Sequence, residues 1–208
     1  MLPPILQQVK AKGYKVFEGK TSDGKQLDYD LNIVAVRSSG TSVTNKYDDM
    51  LAVVYKLRGA WQAHYFPITT DPGKNYMETA SEDFGVSGTA ILVPGQYRGA
   101  YTVGNHGPTK YQALVQSSGP VKVYRDSNRD LIYDDVNVEE GYFGINIHAC
   151  SQMPYHENKT GGSVGKWSGG CQVFADTRDF RLFMHLCHMQ TTCTGWSNFT
   201  YTLIEEEK

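Results

Sequence analysis

The feature that most constrains this chain is a succession of short β-type runs, from Tyr14 to about Val123, broken at regular intervals by turn chemistry. Val16-Phe17, Leu31 to Val36, Met50 to Leu57, Trp61 to Ile68, Thr89 to Leu92, Gly99 to Val103, Tyr111 to Gln116 and Val121 to Arg125 each read as strands. The breaks fall at Asp23-Gly24, Ser38-Ser39-Gly40, Asp71-Pro72-Gly73, Pro94-Gly95 and Ser118-Gly119-Pro120, residues that supply the bends such connections need. Many strands at this spacing predict a sandwich or barrel-like sheet system. Helical signals are few. Pro3 to Lys12 reads as a short helix with Ile5, Leu6 and Val9 on one face and Gly13 to stop it. Thr177 to Met189 reads as a second, capped by Asp176 or Thr177, with Phe180, Phe183, Met184 and Cys187 along one side. A last strand, Phe199 to Ile204, precedes a charged tail. The expected class is therefore α+β, predominantly β.

With 208 residues and no linker, repeat or low-complexity tract, the whole of 1–208 reads as one domain, residues 1–30 forming a helix-and-strand extension. A net charge of −2 without a basic stripe argues against nucleic acid as a partner. The start, Met1-Leu2-Pro3-Pro4-Ile5-Leu6, lacks the basic and apolar regions of a secretory signal, and no stretch approaches membrane-spanning length. A monomer made in the cytoplasm is expected, as given or as a mature form released by other means.

The chemistry concentrates in two segments. Trp167-Ser168-Gly169-Gly170-Cys171-Gln172 places a thiol in a glycine-rich turn, where the backbone can bend sharply and a substrate can approach the sulfur. Gly144-Ile145-Asn146-Ile147-His148 ends an alternating run (Tyr142, Phe143, Ile145, Ile147) that reads as a strand holding an imidazole. A thiol attacks as its thiolate, and a nearby imidazole is a common means of producing one near neutral pH. The polar or absent side chains around Cys171 are poor core composition, and the N–H groups of the turn could face an oxyanion. Between the two segments, Tyr155 to Gly165 is loop-like and polar, placed as a lid would be.

Other clusters read more plainly. Cys150, Cys171, Cys187 and Cys193 make no disulfide framework in a chain this long; Cys187 and Cys193 could pair locally or stay reduced. His185, Cys187, His188 and Cys193 fit no standard zinc spacing, so no metal is expected there. Asp126-Ser127-Asn128-Arg129-Asp130, with Asp134 and Asp135, has the alternating oxygens of a calcium loop. Leu131 stands where the loop wants glycine and Asn137 where it wants a closing glutamate, so a solvated turn is the reading. Arg125, Arg129, Tyr97 and Arg98 are candidates for contacts to substrate carboxylates, or for ordinary surface pairs.

Ile147-His148, a loop and Ser168-Gly169-Gly170-Cys171 resemble the catalytic signature of the L,D-transpeptidase (YkuD-type) family. Tyr65 to Thr70 and Thr89 to Tyr97 resemble that family's strand and its threonine-proline-glycine turn. The resemblance spans roughly Leu31 to Phe174, with its specificity in the last thirty or so residues. It implies an L,D-transpeptidase-like β-sandwich or barrel with a short N-terminal helix and one helix in the C-terminal half. It also implies a cysteine acyl-enzyme, peptidoglycan stem peptides as substrate and no cofactor. Carried across, Cys171 is the nucleophile and His148 its base. Ser168, Gly169 and Gly170 form the oxyanion turn, and Trp167, Gln172, Tyr97 and Arg98 contact substrate. The chain departs from the family at Gly169, where a second histidine is expected, and at Val173, where an arginine often follows; its His-to-Cys loop is also longer. These departures favour hydrolysis, as in an L,D-carboxypeptidase or endopeptidase, over cross-linking. Gly144 to His148, Trp167-Ser168 and Phe199 to Ile204 also look like proteins encoded by phages of gut bacteria, which implies an endolysin-like role at the cell wall. A non-catalytic wall-binding or virion module is the rival class.

Overall fold

The computed structural model describes residues 1–40, 42–84, 88–128, 130–132 and 138–206. Eleven strands and three helices are described: α1 (Pro4–Ala11), β1 (Asn32–Arg37), β2 (Asp49–Leu57), β3 (Ala60–Thr69), α2 (Lys74–Phe84), β4 (Thr89–Leu92), β5 (Gly95–His106), β6 (Tyr111–Gln116), β7 (Val121–Asp126), β8 (Val138–Gly141), β9 (Ile147–Ala149), β10 (Gln172–Phe174), α3 (Thr177–Thr194) and β11 (Asn198–Glu205). Eight strands close a barrel in the order β1-β11-β5-β6-β9-β10-β3-β2, and β4-β7-β8 form a separate small sheet. The chain is thus mainly β with few helices.

Strand faces follow the alternation of side chains along an extended backbone. Ile33, Ala35, Leu51, Val53 and Leu203 point into the main core with Phe174, Phe180, Phe183 and Tyr201. Val34, Ala52, Val54 and Ile204 point the other way, onto Ile5, Leu6 and Val9 of α1. Both faces of β1 are therefore covered, and nearly all of its residues are buried. The β2–β3 hairpin turns at Arg58 and Gly59, both at positive φ, as a two-residue turn matching strand twist requires. α3 starts at Asp176, whose carboxylate accepts from Arg178 N, and runs past the expected Met189 to Gly195, a left-handed cap at φ 75°.

Three expectations are corrected and one helix is added. Val16-Phe17 forms no strand: Phe17 N and O are bonded by the side chain of Asn32, which stands in for a neighbouring strand. The run Tyr142 to His148 is a strand only from Ile147. The side chain of Gln116 instead holds it, accepting from Phe143 N and Ile145 N and donating to Gly141 O. α2 was not expected from the sequence, although Met77, Ala80 and Phe84 recur at helical spacing; Met77 is its one buried residue among the described side chains. The segment Tyr155 to Gly165 is no lid. Its Lys159, Thr160 and Gly161 are bonded to Thr177, Asp176 and Ala175, and Arg181 of α3 donates to Pro154 O, Glu157 O and Asn158.

Candidate functional site

The parallel neighbours β9 and β10 pair Gln172 with Ile147, Val173 with His148 and Phe174 with Ala149. Ile147, Ala149 and Phe174 point into the barrel core, so period-two alternation puts His148 and Cys171 on the outer face. There both line a cleft of about 450 Å³. Its wall also takes Tyr76 of α2, Thr89 and Ala90 of β4, Arg125 of β7, and Lys166, Trp167 and Gly169 of the turn preceding the thiol.

The turn is held by its own polar groups. Ser168 Oγ donates to Cys171 O (2.7 Å) and accepts from Gly170 N (3.2 Å). Gly170 sits at φ 118°, and a Cβ there would lie 2.5 Å from Ala90 O, so the position tolerates only glycine. Gln172 is fully buried beneath the turn, donating to Gly170 O (3.2 Å) and accepting from Tyr201 OH (2.7 Å). The Cys171 thiol is half-buried. It accepts from Asn146 N (3.4 Å) and donates to Gly144 O (3.4 Å). Burial pushes its pKa up to about 11, against the opposing pull of the Asn146 N–H.

His148 is buried, with Nδ1 donating to Ala149 O (2.9 Å) and near Tyr111 OH (3.4 Å). Burial, and then the neighbouring His106, lower its pKa to about 3, opposed by the bond to Ala149 O. Thiol and imidazole are thus both neutral at rest. Among the described residues no hydrogen bond joins them. Proton transfer between them creates opposite charges across one cleft, each of which stabilises the other.

The cleft also contains a residue that sequence reasoning passed over. His106, the last residue of β5, stacks on His148 with ring centroids 4.1 Å apart, and its Nδ1 lies 3.1 Å from Asn146 Nδ2. Burial lowers its pKa. No local pattern marked it, since a histidine at a strand end beside Gly107-Pro108 reads as ordinary turn chemistry.

The expected site residues divide. Cys171, His148, Gly169 and Trp167 line the cleft together, Trp167 with Lys159 Nζ 4.2 Å over its ring. Ser168, Gly170 and Gln172 support the turn from behind. The Gly170 N–H, expected among oxyanion donors, is committed to Ser168 Oγ, and Gln172 N donates to Asn146 O (2.8 Å). Tyr97 is away from the cleft, packed in the core with its OH donating to Val93 O, and Arg98 is exposed on β5 outside the cleft lining. Of the residues considered for carboxylate contacts Arg125 does line the cleft, together with Lys166, and among the described residues no aspartate or glutamate lines it. Arg125 is ion-paired to Glu139 at 3.1 Å, while Lys166 makes no ion pair among the described residues.

Among the described residues the His185, Cys187, His188 and Cys193 set is dispersed. Cys187 is in the core while His185, His188 and Cys193 are exposed, and all four cysteines are free thiols. Among the described residues no group of three or more metal-ligating side chains is assembled. In the candidate calcium loop, Asp126 accepts from Leu131 N and Asp130 from Ile132 N; Arg129, Asp134, Asp135 and Asn137 lie outside the described residues. No described helix is long and apolar enough to cross a membrane. Compared with protein-family models, curated proteins and solved structures, the chain matches none.

Proposed function

We propose that this chain is a cysteine acyl-transfer enzyme of divergent L,D-transpeptidase type, acting on peptidoglycan stem peptides and releasing its acyl group chiefly to water. The observation that carries this reading is an uncharged imidazole on β9 and a thiol in the turn entering the parallel neighbour β10, facing one cleft. His148 Nε2 takes the Cys171 proton as sulfur attacks a substrate carbonyl carbon, and returns it to the departing amine. Water then attacks the thioester and regenerates the thiol, as in an L,D-carboxypeptidase or endopeptidase; an amine in place of water would form a cross-link.

The surroundings suit an anionic peptide. Lys166 supplies positive charge that no ion pair among the described residues offsets, and Arg125, shared with Glu139, adds a guanidinium to the same wall. A second groove of about 560 Å³ continues from the cleft, sharing Tyr111 and Gln152 with it, which gives room for an extended substrate. The proposed setting is the cell wall, with a phage endolysin as the role.

Digestion of purified peptidoglycan, followed by mass analysis of the released stems, tests the reading. Wild type should shorten or split stems, and Cys171→Ala and His148→Ala should each lose about 10³-fold or more of that rate. Equal products from wild type and Cys171→Ala would leave the wall-binding module as the better description. New dimeric stems without shortened ones would assign cross-linking.

A further inference from the structure

Two sets of hydrogen bonds fix which nitrogen of each stacked imidazole carries its proton. A backbone N–H only donates, so Asn146 Oδ1 is the atom facing Gln116 N at 2.9 Å. Asn146 Nδ2 therefore faces His106 Nδ1 at 3.1 Å and donates to it. His106 Nδ1 holds a lone pair, and in the neutral ring the hydrogen sits on Nε2. His148 is the reverse. Ala149 O only accepts, so Nδ1 carries the hydrogen and Nε2 the lone pair. One ring thus offers a base and the other a donor, both in the same cleft as Cys171.

In the turn the N–H groups of Gly170 and Gln172 are already committed. Among the described residues, the N–H groups of Gly169 and Cys171 and His106 Nε2–H have no protein acceptor, and His106 is the one side chain among these donors. Resting on the reading of Cys171 and His148 above, we propose that His106 is a further catalytic residue, whose neutral Nε2–H binds the oxyanion formed at the substrate carbonyl.

The Cys171 S–H proton passes to His148 Nε2, the sulfur lone pair forms the C–S bond, and the C=O π pair moves onto oxygen. That oxygen accepts from His106 Nε2–H and Cys171 N–H. When the oxygen pair reforms C=O, the C–N bond breaks and its nitrogen takes the proton from His148. His106 keeps its own hydrogen throughout. A neutral donor suits the place, because a positive charge stacked at 4.1 Å would weaken His148 as a base.

Two reagents separate this role from a structural one. Iodoacetamide alkylates Cys171 without forming an oxyanion, whereas the ring carbonyl of a carbapenem must pass through one. His106→Phe keeps an aromatic ring on His148 but removes the donor; His106→Gln keeps an N–H. With the full chain, Cys171 acylation in His106→Phe should fall about 10²–10³-fold while its alkylation stays within about threefold. His106→Gln should recover at least about tenfold of the acylation rate. Parallel loss of acylation and alkylation would overturn the proposal in favour of a ring that only props His148, and unchanged acylation would overturn it outright. If wild-type Cys171 is alkylated but never acylated, the acyl-enzyme reading falls and the proposal with it.

Discussion

In the proposed reaction Cys171 and His148 start as a neutral pair, and this differs from a preformed thiolate–imidazolium pair in what it predicts. With the thiol pushed up to about 11, the alkylation rate of Cys171 should climb steadily with pH toward that value. A plateau below pH 7, read from the mass of the labelled peptide, would indicate an ion pair instead. His148 also makes folding sensitive to acid. Its pKa is about 3 in the folded chain against 6.5 for an unperturbed histidine, so between those values the unfolded chain binds more protons. The stability from keeping it neutral is full above pH 6.5 and is lost as pH falls toward 3. Denaturant unfolding at pH 7, 5 and 4 should show wild type losing more stability than His148→Gln across that window. At Gly170 the constraint is steric. Gly170→Ala should cost about 1–3 kcal/mol in thermal unfolding and depress Cys171 acylation, since the turn must shift away from Ala90 O.

The elements were legible to different degrees, for physical reasons. β4 and β6 match their expected bounds and β1, β2, β3 and β7 come within a residue or two, because their alternating or continuous apolar runs meet a core on one or both faces. β9 and β10 are three residues each, too short for any period to register, and they carry the site. Hydrogen bonds from Gln116 and Asn32 do the work of missing strands, and neither side chain announces such a role in sequence. α3 was legible by its stripe and its cap. Asp176 caps it, is bonded by Arg178, and accepts from Thr160 (2.6 Å), so it also ties down the segment before the thiol. Asp176→Ala should cost about 1–2 kcal/mol in denaturant unfolding. An unchanged midpoint would show that water replaces the cap without loss.

For the whole molecule, the decisive event is closure of the barrel by β11, which enters parallel to β1 and antiparallel to β5. It brings Tyr201 onto Gln172 and so supports the Cys171 turn from the far end of the chain. Arg37 joins the barrel to the small sheet. It donates to Thr70 Oγ1 (2.9 Å), Thr70 O (3.1 Å) and Leu92 O (3.0 Å), and is paired with Asp71 at 3.4 Å. Arg37→Met should cost about 3–5 kcal/mol, because it leaves buried carbonyls and a buried carboxylate without their cation. A shift in the unfolding midpoint worth less than about 1 kcal/mol would mean that the two sheets are joined by packing alone. By itself, the sequence determined the β-rich class, the two amphipathic helices and the thiol and imidazole as chemical candidates, since all of these rest on neighbours within a few residues. Only the tertiary structure decided that Tyr97 and Arg98 lie away from the cleft, that Arg125 and Lys166 line it, and that His106 stacks on His148. Those relations depend on strand order and barrel closure, which join residues distant along the chain and leave no local periodicity to read.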